Sequence, residues 1–177
     1  MKNYVNFSKA LVLSLFLIIG LGCSEESTEL TDDLFPTMLK GRSGDNFNFS
    51  SSLKGSNEVP ARETNAAGQV IVKINKDEQS LYFKIIASNI NDVGASHFHL
   101  APAGSNGGIV VTLYTNPDQP SGPQNGILAE GVVTSGDLQN AFEGEGFSVL
   151  VEAIRSGNIY VNVHTSRYPS GELRAQL

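Results

Sequence analysis

Two of the three histidines in this 177-residue chain stand one residue apart in ASHFHLAP, residues 95–102, and the third lies in YVNVHT, residues 160–165. Successive residues of a strand point to opposite faces, so His97 and His99 share one face while Phe98 and Leu100 take the other. The second stretch has the same phase. Ile159, Val161 and Val163 make an apolar face and leave Tyr160, Asn162 and His164 together. If the two strands are neighbours in one sheet, three imidazoles converge outside the core. Same-face histidines two residues apart can chelate an ion, and a third from another strand completes a three-nitrogen site for one Cu or Zn ion. Histidines outside a core also serve as plain hydrogen-bonding groups, and the spacing alone leaves both roles open.

The remaining polar clusters offer less. Glu58, in GSNEVPA, follows a turn-like GSN and precedes Val59-Pro60. It reads first as a structural carboxylate accepting turn N–H groups, with pairing to Arg174 or orientation of a histidine as its other roles. In GELRAQL, Glu172, Arg174 and Gln176 alternate with Leu173, Ala175 and Leu177, the pattern of a half-exposed closing strand whose charges form a cross-strand pair. AGSNGG, residues 103–108, lacks the Lys-Ser/Thr of a phosphate-binding loop and precedes a strand, so it reads as a turn. There is no G-x-S-x-G, and the single cysteine, Cys23, lies at the end of an apolar leader. Without paired acids, a nucleophile or a second domain to form a cleft, hydrolytic chemistry finds no footing and no catalytic residue is assigned.

The elements that must position these groups are mostly strands. From about Asn46 the chain alternates: Val70, Val72 and Ile74 share a face, as do Leu81, Phe83 and Ile85, with the polar NKDEQ between them as a hairpin connection. IVVTLYT and ILAEGVVT read as strands, and NPDQPSGPQNG, residues 116–126, reads as a loop. One segment breaks the rhythm. Phe147, Leu150, Val151 and Ile154 recur at helical spacing, Gly157 provides the stop, and TSGDLQNAF before them suggests a helical turn. Seven to nine short strands imply an all-β fold, an antiparallel Greek-key-like sandwich or flattened barrel, with one short helix before the last two strands.

Residues 1–22 differ from everything after them. Lys2 and Lys9 precede LVLSLFLIIGL, whose eleven residues are too few to span a bilayer and read as a secretory leader. IIGLGCSEE resembles a bacterial lipoprotein signal, with Gly22 before Cys23, although Gly20 stands where that motif usually has Leu. The resemblance implies lipidation of Cys23 and an outer-membrane protein held by acyl chains, periplasmic or surface-exposed. Residues 23–45 then form the lipidated cysteine and an acidic, flexible tether, and residues 46–177 the folded domain. Loss of the leader takes the basic count from 12 to 10 against 18 acidic residues, and the formal charge from −6 to −8. A chain so acidic, with no basic patch, is a poor partner for nucleic acid.

Three stretches together resemble the CHRD domain, first described in chordin. An L-x-G-x-x-E-V-P opening is carried by Leu53, Gly55, Glu58, Val59 and Pro60, and an H-x-H stretch by His97 and His99. The closing motif is carried by Gly157, Tyr160, Val161, Asn162, His164, Thr165, Pro169, Gly171, Glu172, Arg174 and Gln176. The resemblance implies a β-domain similar in architecture to the Cu/Zn superoxide dismutase barrel, but it supplies no activity. It brings an extracellular or envelope protein into view as the partner class. Three histidines are too few for a two-metal dismutase site. The expected function is a lipid-anchored envelope protein whose β-domain is a binding or structural module. The alternative is a single-metal protein or metalloenzyme using His97, His99 and His164, with Glu58, Asn162, Glu172 and Arg174 as supporting residues.

Overall fold

The computed structural model describes residues 47–118 and 120–177, so Cys23 and the stretches expected to be a leader and a tether lie outside the described residues. Where apolar and polar residues alternate, strands form: β1 (Asn48–Lys54), β2 (Ala67–Ile74), β3 (Ser80–Asn91), β4 (Val93–Leu100), β5 (Gly108–Thr115), β6 (Pro123–Thr134), β7 (Ile159–Thr165) and β8 (Leu173–Gln176). They make one antiparallel sheet in the order β5-β4-β7-β8-β1-β2-β3-β6. The two ends of that order are brought together by the segment after β6. Val111 forms a bridge with Leu138, and the Gln139 N–H donates to the Val110 carbonyl at 2.9 Å. The sheet is thus a nearly closed barrel, as the spacing of short strands predicts.

Its inner face carries the residues that the alternation selects. Leu53, Val70, Val72, Leu81, Ile85, Phe98, Val161, Val163 and Leu173 are all fully buried. Each such side chain contributes about 1.5–3 kcal/mol on leaving water, so the inner face dominates stability. The one helix, α1 (Ser148–Arg155), adds Leu150, Val151 and Ile154 to the same core, with Phe147 just before it. Gly157 ends it at φ 70, a left-handed conformation that costs glycine nothing. The TSGDLQNAF stretch holds two short 3-10 turns, Ser135–Asp137 and Asn140–Phe142. Among the described residues, no helix is long and apolar enough to cross a membrane.

Two sequence expectations are corrected. Residues 123–126, read as loop, form the start of β6 and pair Pro123 with Asn91 and Gln124 with Ile90. Proline is tolerated there because it opens a strand at the end of the sheet order, where its missing N–H breaks no ladder. The closing strand β8 is not half-exposed either. Leu173 and Ala175 are fully buried, and Glu172 and Arg174 are only 6% and 2% exposed. The reason is a second layer. Loops 55–66 and 101–107 fold over the outer face of the barrel, tied together by Asn106 Nδ2 donating to the Val59 carbonyl at 2.7 Å. Asn57 Nδ2 fastens the first loop to β8 through the Arg174 carbonyl at 3.1 Å.

Candidate functional site

Strand pairing decides which side chains meet. β4 lies beside β7 with Ala95 opposite His164, His97 opposite Asn162 and His99 opposite Tyr160. All six point outward, because Ser96, Phe98, Val161 and Val163 occupy the inward phase. His97 is therefore diagonal to His164, close enough for ring contact. The His97 Nδ1 and His164 Nε2 atoms are 3.0 Å apart. All three histidines are brought together, with one ligand atom from each lying within 4.8 Å of the others.

The second nitrogens separate the three. His164 Nδ1 donates to the Pro169 carbonyl at 2.9 Å, which fixes its tautomer and leaves Nε2 as an acceptor facing His97. His99 has both nitrogens engaged, Nδ1 with the Gly107 carbonyl at 2.9 Å and Nε2 with the Asn162 side chain at 3.0 Å. Its ring also stacks on Tyr160, 4.7 Å between centroids and 6° from parallel. Gly107 can come this close because any Cβ would collide with the Leu100 carbonyl.

The stack continues outward. The Arg174 guanidinium lies 3.5 Å above the Tyr160 ring centroid. It donates to the Ser105 carbonyl at 2.7 Å and to Asn106 Oδ1 at 3.2 Å, and so is held beneath loop 101–107. Tyr160 completes the seal by accepting the Gly107 N–H at 3.2 Å. Asn162 and Arg174, expected as supporting residues, thus hold His99 directly and through Tyr160.

Glu58 and Glu172 sit elsewhere. Glu172 accepts Thr64 Oγ1 at 2.5 Å and Thr165 Oγ1 at 2.6 Å, a structural clamp between β7, β8 and the 55–66 loop. Among the described residues it makes no ion pair with Arg174, because Glu172 is bonded to Thr64 and Thr165 while Arg174 is turned to loop 101–107. Glu58 is buried against Gly171, whose φ of 122 and bare Cα make room for the carboxylate. Among the described residues it makes no hydrogen bond to a histidine, and its Oε1 has no hydrogen-bond partner. Burial raises its pKa above the ordinary carboxylate value, opposed by the charges of Arg174 and Arg62.

Electrostatically the histidines are kept neutral. Burial lowers the His97 pKa to about 4, with the neighbouring His164 and His99 adding to the effect. His164 and His99 are lowered as well, chiefly by burial, although their carbonyl partners pull the other way. Beside the pair His97–His164 opens a cleft of about 440 Å³, walled by Gly94, Ala95, Ile109, Thr165, Ser166 and Pro169.

The spacing of the histidines pointed to this cluster, and Tyr160 was visible on the same face. The carbonyls of Pro169 and Gly107 were not, because a backbone acceptor leaves no mark on residue type. The CHRD domain family model matches residues 49–177. No curated protein and no solved structure matches the chain.

Proposed function

The chain belongs to the CHRD family, and on that premise we propose that it is a lipid-anchored cell-envelope binding module that engages an envelope or extracellular protein through the cleft beside His97 and His164. The observation that carries this reading is the cleft itself. It lies on the part of the outer face that the two covering loops leave open, and its walls come from β4, β5, β7 and the turn after β7. The apolar leader ending at Cys23 supports the anchor, which places the domain at a membrane without a spanning segment.

The test uses labelling and crosslinking in intact cells. Wild type is expected to incorporate an alkyne-tagged acyl chain and to fractionate with membranes, whereas Cys23→Ser does neither. A photo-crosslinking residue in place of Ile109 in the cleft wall is expected to capture a partner, while one in place of Lys73 on β2 does not. Equal capture at both positions, or none at either, would sink the cleft as the binding surface.

A second reading, a single-ion Cu or Zn protein, is favoured by a specific observation: ring nitrogens from three histidines on two strands converge. Neutral imidazoles are the form that ligates metals, and burial keeps these neutral.

A further inference from the structure

We infer that the ion-binding unit is a two-histidine chelate, His97 Nδ1 with His164 Nε2, with a geometry suited to Cu(II), and that His99 is a structural wedge outside the coordination sphere. This rests on the single-ion reading and changes its ligand set from three histidines to two.

Distance makes the first case. Two nitrogens on one ion at about 2.0–2.1 Å cannot be further apart than about 4.2 Å, even when they are opposite each other. The three histidines lie within 4.8 Å of one another, a wider spread than one ion can bridge, while His97 and His164 are 3.0 Å apart. His99 is the outlier, its ring centroid 5.6 Å from that of His97 and 6.2 Å from that of His164.

Commitment of the ring nitrogens makes the second case. To ligate, His99 must abandon either the Gly107 carbonyl or the Asn162 side chain, leave its stack on Tyr160, and strand a buried polar group. His164 keeps its bond to the Pro169 carbonyl and gives up only the hydrogen bond that its Nε2 accepts from His97. His97 exchanges one proton position. In the metal-free protein its Nδ1–H donates to His164 Nε2. With an ion between the rings that proton sits on Nε2 instead, and the ring remains neutral.

The choice of ion follows from the bite. A nitrogen separation of 3.0 Å at about 2.0 Å from an ion gives an angle near 95°, whereas a tetrahedral ion needs nitrogens about 3.3 Å apart. Near-right angles are those of a tetragonal Cu(II) centre, which also leads the divalent series in affinity for imidazole. Among the described residues, the cleft walls offer no carboxylate, thiolate or third imidazole, so the other positions go to water or to a donor from an incoming molecule.

The experiment titrates purified full-length chain in detergent, without a histidine tag and on a Cys23→Ser background, with Cu(II) and separately with Zn(II). One equivalent of Cu(II) is expected, with a paramagnetic resonance spectrum showing two imidazole nitrogens and affinity for Zn(II) at least tenfold weaker. His97→Ala or His164→Ala should weaken Cu(II) binding at least thirtyfold, and His99→Gln less than threefold. Should His99→Gln fail to fold, the nitrogen count in the wild type still decides the matter. Absence of Cu(II) uptake would overturn the single-ion reading itself. Uptake with three imidazole nitrogens would leave that reading standing and overturn the two-histidine chelate.

Discussion

His97 and His99 share a residue type, a strand and a face, yet one opens on a cleft and the other is sealed. The difference lies in what covers each. Loop 101–107 folds back over the Leu100 end of β4, gives its Gly107 carbonyl to His99, and buries Tyr160 and Arg174 with it. Its cover stops short of His97, whose neighbour is the half-buried His164. The outer face of this barrel therefore holds two regions, a sealed polar stack of Arg174, Tyr160 and His99, and an open pair. Sealed polar groups are costly to disturb, because whatever they bonded is left unpaired without water to replace them. Open ones are free to bind.

That contrast can be broken first at Arg174. Removing it in Arg174→Ala takes away the cover of Tyr160 and strands the Ser105 carbonyl and Asn106, so unfolding in urea should show a loss of about 3 kcal/mol or more. An Arg174 variant as stable as wild type would show that the stack does not hold the second layer. The next effect is smaller and separates the two histidines directly. His99→Ala is expected to cost about 2 kcal/mol by the same measurement, and His97→Ala under about 1 kcal/mol, because only the former leaves buried partners unpaired. Equal losses would erase the distinction between wedge and open pair.

The smallest effect is a dependence on pH. The His97 pKa is about 4 in the folded chain against its ordinary 6.5. Between those values the unfolded chain binds more protons, so the contribution of His97 to stability is complete above about pH 6.5 and is lost as pH falls towards about 4. His99 and His164 shift in the same direction. Glu58, raised by burial, works the opposite way. Urea midpoints should therefore decline from pH 7 to pH 5. In His97→Ala that decline should be shallower by no more than about 1–2 kcal/mol, since His97 is only half-buried and solvent screens its charge. An unchanged slope would show that His97 does not become desolvated on folding.

Much of the barrel was legible because alternation is a local property. Val70, Val72, Leu81 and Phe83 declare their face within a few residues, and Leu150, Val151 and Ile154 declare a helix in the same way. The closing strand misled for a related reason. Glu172 and Arg174 have the phase of an outward face, and they do point outward, but no pattern in GELRAQL reveals that distant loops 55–66 and 101–107 lie over them. Pro123 misled by type, since proline is compatible with the start of a strand at the end of a sheet.

By itself, the sequence determined an alternating β-domain, the phase of every histidine, and a family pattern running from Leu53 to Gln176. Those properties depend on neighbours along the chain. Tertiary structure alone decided that β4 lies beside β7 in the register that sets His97 diagonal to His164, and that a returning loop covers His99. Register and cover are contacts between residues tens of positions apart, so they are written only in the folded arrangement. They divide three identical side chains into a pair that opens on a cleft and a third that is sealed into the fold.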